Sequence, residues 1–178
     1  MIVYQNIETL IGVNYGETRI DNDFFNAMND RSNVQSFKLD IYPTKAEIDN
    51  IIKESIDLTP VKNNIYHYNI DVYGPELIEE KNKLLIPMQD NNEQVKAPYL
   101  LVFKKSMNHF NKRNFTGGDI EIAAMGAILH GYIISVLANK NNIQASFCAC
   151  FKDDKPNFSN IVKKKNEFYF MLGLGSSS

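Results

Sequence analysis

Between residues 44 and 60 the apolar positions recur with the period of an α-helix. Thr44 and Glu47 have the three-residue spacing of a capping box, which favours a helix start at this point. Pro60 cannot continue a helix and therefore marks its end. The apolar face that this helix would bury is formed by Ile48, Ile51, Ile52 and Ile56.

The same kind of pattern predicts strands and further helices. Residues 66–73 alternate between apolar and polar side chains, whereas residues 97–104 are almost continuously apolar and favour a strand buried on both faces. The other predicted elements are helices at residues 20–29, 74–85 and 157–164 and strands at residues 143–151 and 167–172. Because helices and strands alternate irregularly, we expect an α+β sandwich rather than a doubly wound sheet.

The longest predicted helix runs from about residue 119 to residue 139 and follows a turn at residues 116–119. Its apolar part, residues 122–138, is short for a bilayer and contains His130, two glycines and a serine. Its many small residues would let another helix approach its backbone closely. A core or interface helix is therefore predicted, in which His130 is a hydrogen-bonded core histidine rather than a ligand.

The composition sets limits on the class of protein. The chain has 178 residues, of which 44% are hydrophobic and 22% charged, and its net charge is −2. This length fits one domain, residues 1–178, with residues 1–19 as an N-terminal extension to which we assign no structure. The small net charge indicates neither nucleic acid nor a membrane as a partner. The N-terminus lacks a signal-peptide pattern, so we expect a cytoplasmic protein.

The two cysteines, Cys148 and Cys150, lie two residues apart in a predicted strand. Their side chains would point to opposite faces, which makes a disulfide between them geometrically poor. No cluster of further His or Cys residues accompanies them, so no metal site is predicted. We expect buried, reduced thiols, as in a cytosolic protein.

Motifs for protein-based chemistry are scarce in this chain. The sequence has no glycine-rich phosphate loop, no zinc-binding helix motif and no nucleophile-elbow motif. Its three histidines, His67, His109 and His130, are isolated in sequence. So few acid–base signatures fit an enzyme whose chemistry is carried by a bound cofactor, and no catalytic side chain is predicted.

Two polar segments are the candidates for ligand binding. In the first, residues 30–37 (DRSNVQSF), Arg31 offers a rigid donor fork that suits phosphate, and its neighbours can hydrogen-bond phosphate or the edge of a polar heterocycle. The second, residues 59–68 (TPVKNNIYHY), follows a predicted helix with polar side chains and free backbone amides. The alternative is an ordinary exposed arginine in the first segment and an ordinary turn in the second.

In their order and spacing, these segments resemble the FMN-dependent nitroreductase-like flavoproteins. Residues 30–37 are similar to the N-terminal pattern of the family, in which basic and polar positions precede an aromatic residue. Residues 59–68 resemble its second pattern, Ala/Ser-Pro-Ser-x-x-Asn-x-x-Pro-aromatic, with Asn64 at the asparagine. Residues 97–103, 118–139 and 168–173 resemble its central strand, long helix and closing strand, so the resemblance covers about residue 20 to the end.

The resemblance implies an α+β nitroreductase-like fold, with a central mixed or antiparallel sheet flanked by helices and a long helix in the dimer interface. It implies a homodimer with two FMN sites between the subunits. One subunit would supply Arg31, Ser32, Asn33 and Gln35, and the other would supply Pro60, Val61, Lys62 and Asn64. Gln94 would add a pyrimidine contact, and the backbone amide of Ala149 or Cys150 would lie near flavin N5.

The chain departs from the family pattern in several places. Asp30 replaces the usual first basic residue, Val61 replaces a serine, and His67 replaces a proline. Gln35 stands where Lys or Arg is common, and the sequence stops before the C-terminal basic segment of many members. These departures lead us to expect a weaker hold on phosphate and a looser dimer.

The leading functional hypothesis is an FMN-dependent oxidoreductase that uses NAD(P)H to reduce an electron-poor small molecule, such as a nitroaromatic or a quinone, by a ping-pong flavin mechanism. One alternative is a protein that binds or sequesters FMN without turnover. Another is a dimeric interaction module without flavin. The colour of the purified protein and its response to reduced nicotinamide would discriminate the three.

Overall fold

A computed structural model describes residues 26–28, 34, 36–60, 66, 68–85, 96–106, 117–148 and 168–176. Within these ranges the chain forms three helices of more than one turn, α1 (Lys45–Leu58), α2 (Ile78–Leu85) and α3 (Gly117–Lys140). Four strands accompany them: β1 (Tyr68–Tyr73), β2 (Tyr99–Lys105), β3 (Gln144–Cys148) and β4 (Phe168–Gly175). A 3₁₀ turn, Pro75–Leu77, leads into α2. The predicted α+β class is confirmed.

The four strands form one antiparallel sheet in the order β1-β2-β4-β3. Strand β2 is central, and its residues Leu100 to Phe103 are buried on both faces, as their continuous apolar run predicts. One face of the sheet packs under α1 and α3. On the opposite face, Lys104 of β2 forms an ion pair with Asp71 of β1.

Helix α1 begins and ends as its sequence predicts. The Glu47 amide donates to the Thr44 hydroxyl at 3.3 Å and the Glu47 carboxylate accepts from the Thr44 amide at 2.7 Å, which completes the capping box. The predicted apolar face needs one correction, because Ile56 is 44% exposed and Ser55 is buried in its stead. At about 100° per residue, Ser55 lies about 20° from Ile48 around the helix, whereas Ile56 lies about 80° away.

Helix α3 is the longest helix in the described part of the chain. It begins at Gly117, two residues before the predicted start, and packs against α1, β3 and β4. Residues 122–140 are long and apolar enough to cross a membrane. However, 56% of their most apolar 18-residue stretch is buried inside the protein, as in a core helix. The close approach allowed by its small residues is to the sheet at Gly131. A Cβ there would lie 2.6 Å from the Phe170 ring.

The end of α3 turns the chain directly into the sheet. The amide of Ile143 donates to the carbonyl of Ala138 at 2.8 Å, and that of Asn142 donates to Asn139 at 2.9 Å. Asn142 has φ 59°, so these bonds form a Schellman motif in which asparagine takes the left-handed position. Strand β3 begins at Gln144 immediately afterwards.

The remaining predicted elements are described only in part. Residues 26–28 are helical, in agreement with the helix predicted at residues 20–29. Strand β4 extends to Gly175, three residues beyond its predicted end. The predicted helix at residues 157–164 and the extension at residues 1–19 lie outside the described residues, and so does the predicted end of β3 beyond Cys148.

Candidate functional site

Pro60 is the one predicted cofactor-binding residue that the structure describes, and it is exposed just after the end of α1. The structure does describe the chain on one or both sides of most of the others. The predicted site residues that lie outside the described ranges are Arg31, Ser32, Asn33, Gln35, Val61, Lys62, Asn64, Gln94, Ala149 and Cys150.

The first polar segment is anchored to the edge of the sheet. The amide of Val34 donates to the carbonyl of Ala145 in β3 at 3.2 Å, and the amide of Lys38 donates to Ser176 after β4 at 2.9 Å. Phe37 is buried between these two bonds, and its ring would lie 3.0 Å from a Cβ placed on Gly175. The glycine therefore lets Phe37 sit close to the strand. The flank of the segment is fixed to β3, the strand that leads toward Ala149 and Cys150.

The second polar segment is hydrogen-bonded near both of its ends to the last turn of α1. The Thr59 hydroxyl donates to the carbonyl of Ser55 at 2.6 Å, and the Thr59 amide donates to the carbonyl of Ile56 at 3.4 Å. On the far side, the Tyr66 hydroxyl also donates to the carbonyl of Ile56, at 2.7 Å. Both ends of the segment are thus attached to carbonyls that the end of a helix leaves without partners.

A buried histidine joins this turn to the core. His130 of α3 is 2% exposed, and its Nε2 lies 2.7 Å from the Ser55 hydroxyl of α1. Its Nδ1 lies 2.9 Å from the Tyr68 hydroxyl of β1. The rings of Tyr66, Tyr68 and Phe103 surround the imidazole at centroid distances of 5.8, 5.8 and 6.1 Å.

The hydrogen bonds assign the tautomer of His130. A serine has one hydroxyl proton, and Ser55 donates it to the carbonyl of Ile52 at 2.6 Å. The Ser55 oxygen must therefore accept from Nε2–H, which leaves Nδ1 to accept from the Tyr68 hydroxyl. Burial favours this neutral ring and lowers the pKa of His130 to about 4, while burial raises the pKa of Tyr68.

The prediction of a hydrogen-bonded core histidine is confirmed, but its partners were missed by the sequence reasoning. The available signal was Ser55, which lies seven residues after Ile48 and so falls on the buried stripe of α1. A hydroxyl on such a stripe needs a partner inside the core. Which residue is that partner follows only from the packing of α1 on α3.

Lys81 of α2 is a second buried polar group, 6% exposed. Its ammonium donates to the carbonyl oxygens of Ala97 and Pro98 at 2.6 and 2.7 Å. Burial lowers the pKa of Lys81 to about 8, against the opposing charge of Glu76. The lysine thereby joins α2 to the start of β2, across the stretch that contains Gln94.

The outer face of α3 is apolar and exposed. Met125 and Ile128 are 69% and 56% exposed, and Ile122 and Leu129 on the same side are 41% and 39% exposed. Around the helix these four residues lie within about 120° of one another, opposite the stripe that includes His130. Four large apolar side chains on one helix face form the kind of patch that marks an interaction surface.

Cys148 is buried as predicted, with 3% of its surface exposed. It lies on β3, where the side chains of successive residues point to opposite faces of the sheet. Cys150 lies outside the described residues.

No protein-family model matches the chain, and no curated protein matches it by sequence. Solved structures do match it. A Staphylococcus epidermidis protein named as an NAD(P)H:FMN oxidoreductase is 17% identical, with a TM-score of 0.74 over 88% of each chain. A nitroreductase from Bacillus subtilis is 15% identical, with a TM-score of 0.72 over 87% of this chain and 66% of that one.

A third similar structure contains the cofactor that the resemblance implies. It comes from Exiguobacterium sibiricum, is named as a nitroreductase and was solved in complex with FMN. It is 13% identical and has a TM-score of 0.67 over 86% of this chain and 88% of that one. The chain therefore has the nitroreductase-like fold.

Proposed function

We propose that this protein is an FMN-dependent oxidoreductase that uses NAD(P)H to reduce an electron-poor small molecule. The observation that carries the proposal is the match over 88% of both chains to a structure named as an NAD(P)H:FMN oxidoreductase. The FMN complex of a second similar structure supports the choice of cofactor. A nitroaromatic or a quinone is the class of acceptor that we propose.

The donor set of the two polar segments fits FMN. The guanidinium of Arg31 and the ammonium of Lys62 suit a phosphate, and the amides of Asn33, Gln35 and Asn64 suit the ribityl chain and the pyrimidine edge. Ser32, Pro60, Val61 and Gln94 complete the proposed contacts, with a backbone amide of Ala149 or Cys150 near flavin N5.

A bound flavin would supply the hydride chemistry, so the protein need only bind and orient it and leave one flavin face open. Three buried titratable groups among the described residues have structural partners instead of a role in that chemistry. His130 and Tyr68 are buried in the core and hydrogen-bonded to each other, and Lys81 is occupied by two carbonyl oxygens. We therefore assign no acid–base role to them.

We further propose that the protein is a homodimer in which the apolar face of α3 packs against a second copy. The support is the exposed apolar face of α3, on which Met125 and Ile128 are the most exposed side chains. Each FMN site would take Arg31, Ser32, Asn33 and Gln35 from one subunit, and the other subunit would supply Pro60, Val61, Lys62 and Asn64. We also propose a cytoplasmic location, on the basis of the N-terminal sequence, which lacks a signal-peptide pattern.

The test is a visible spectrum of the purified protein with added FMN, recorded anaerobically before and after NADH or NADPH. We expect bound flavin that is bleached by the nicotinamide and recovers its colour with a nitroaromatic or a quinone. Bound flavin that neither nicotinamide reduces would instead indicate an FMN-binding protein without turnover. A protein with no affinity for FMN would contradict the proposal. The dimeric interaction module without flavin would then be the remaining hypothesis.

A further inference from the structure

Three elements that are distant in sequence meet in one chain of hydrogen bonds. The Tyr68 hydroxyl of β1 donates to His130 Nδ1 at 2.9 Å, and His130 Nε2 of α3 donates to the Ser55 hydroxyl at 2.7 Å. The Ser55 hydroxyl donates in turn to the carbonyl of Ile52 at 2.6 Å. Each donor and acceptor in this chain has its partner, so the arrangement has a single direction of donation.

This chain of bonds ends at the turn that carries the second polar segment. The Ser55 hydroxyl oxygen accepts from His130 Nε2–H, and the Ser55 carbonyl accepts from the Thr59 hydroxyl at 2.6 Å. The next carbonyl, that of Ile56, accepts from Tyr66. Thr59 and Tyr66, which lie near the two ends of the segment, are therefore both hydrogen-bonded to the last turn of α1.

The surroundings make this attachment rigid. Ser55 and His130 are 0% and 2% exposed, and Tyr68 is 5% exposed, so water cannot readily replace the hydrogen bonds between them. The imidazole is also packed against the Phe103 ring of β2. A buried group without its partner is costly, which holds the three side chains in one arrangement.

We propose that the Tyr68–His130–Ser55 chain is a positioning device for the cofactor site, because it sets where Pro60 leaves α1 and where Tyr66 returns to the core. This inference rests on the proposed function, which places FMN contacts on Pro60 and the residues after it. His130 is a positioning residue and touches no substrate or cofactor.

Tyr68→Phe tests the device, with Tyr73→Phe as its matched control. Tyr73 lies on the same strand with its side chain toward the other face of the sheet, so the control removes a hydroxyl from β1 without touching His130. We expect Tyr68→Phe to raise the Kd for FMN by about threefold to tenfold, the loss that follows from one net hydrogen bond. Ser55→Ala should weaken binding similarly, and Tyr73→Phe should stay within about twofold of wild type.

Hydrogen–deuterium exchange of the apoprotein gives a readout that does not depend on FMN. In Tyr68→Phe, we expect faster exchange in the peptide that spans residues 57–66 than in wild type, and no such change in Tyr73→Phe. Global stability is measured on the same samples by urea denaturation. A purely structural role would lower the urea midpoint and raise exchange throughout the core, while the FMN affinity of the folded protein stayed the same.

The outcomes separate this inference from the proposed function. If wild type binds FMN and both Tyr68→Phe and Ser55→Ala bind it equally well, the positioning role is overturned and the proposed function stands. If wild type has no affinity for FMN, the proposed function is overturned and the inference with it. Weaker binding by both variants, with local rather than global loss of protection, supports the positioning role.

Discussion

The ammonium group of Lys81 lies 2.6 Å from the carbonyl oxygen of Ala97, and the same group reaches the neighbouring carbonyl of Pro98. Lys81→Met keeps the apolar stem of the side chain but leaves both buried carbonyls without this donor. We expect it to lower the free energy of unfolding by about 1–3 kcal/mol. Urea denaturation measures the change, with Lys53→Met on the exposed side of α1 as the control. Equal effects of the two substitutions would mean that the buried contact adds nothing.

The stability of the protein should depend on His130 between about pH 6.5 and pH 4. The pKa of His130 is about 4 in the folded protein, against an ordinary value of 6.5. Between these two pH values the unfolded chain binds a proton at His130 that the folded protein does not bind. The contribution of His130 to the free energy of unfolding is therefore fully present above about pH 6.5 and is lost as the pH falls toward 4.

His130→Asn should therefore differ most from wild type at neutral pH, and the difference in free energy of unfolding should shrink by about pH 4.5. Urea denaturation of both proteins across this pH range gives the comparison. The carboxylates are the same in both proteins, so their titration cancels in the difference in free energy of unfolding. A difference that stays constant with pH would show that the ring is not held neutral.

We expect Arg31→Ala to weaken FMN binding by about 1.5–3 kcal/mol, the usual contribution of a hydrogen bond to a charged group. Titration of the apoprotein, followed by flavin fluorescence, gives the dissociation constant. Lys53→Ala removes a positive charge from the exposed surface of α1 and serves as the control. An unchanged constant in Arg31→Ala would make this arginine an ordinary surface residue.

The proposed interface can be tested at its most exposed side chain. Met125 of α3 is 69% exposed, and Met125→Glu would bury an unpaired charge if a second copy covers it. We expect this variant to scatter light as a monomer near 20.4 kDa at micromolar concentration, and wild type to scatter as a dimer. Ile78→Glu on α2, at a residue 59% exposed, should remain dimeric. A monomeric wild type in the presence of FMN would contradict the dimer.

The thiols are expected to be dispensable for the reaction. Cys148 is buried, which makes a thiol unreactive, and the segment after it is proposed to supply a backbone amide that survives a change of side chain. The Cys148→Ser/Cys150→Ser variant should keep its flavin and most of its reductase rate, with some loss of stability from a buried hydroxyl. A roughly hundredfold loss of rate in the folded, flavin-loaded variant would assign the thiols to the chemistry.

Local sequence signals were sufficient for α1 and for the buried strand β2. Thr44 and Glu47 cap α1, Pro60 follows its end, and the continuous apolar run from Leu100 to Phe103 forms a strand buried on both faces. Each of these features depends on residues within one turn of a helix or on the period of one strand. Such short-range effects act before any tertiary contact exists.

The sequence by itself also determined the nitroreductase-like fold, through the order and spacing of its segments, and the core position of His130. Only the tertiary structure decided which groups this histidine meets. Ser55 and Tyr68 lie 75 and 62 residues away along the chain, and the packing of α1 and β1 on α3 brings them to the two ring nitrogens. Helical periodicity alone places Ser55 about 20° and Ile56 about 80° from Ile48, but only the packing of α1 on α3 supplies the buried partner that a hydroxyl in the core requires.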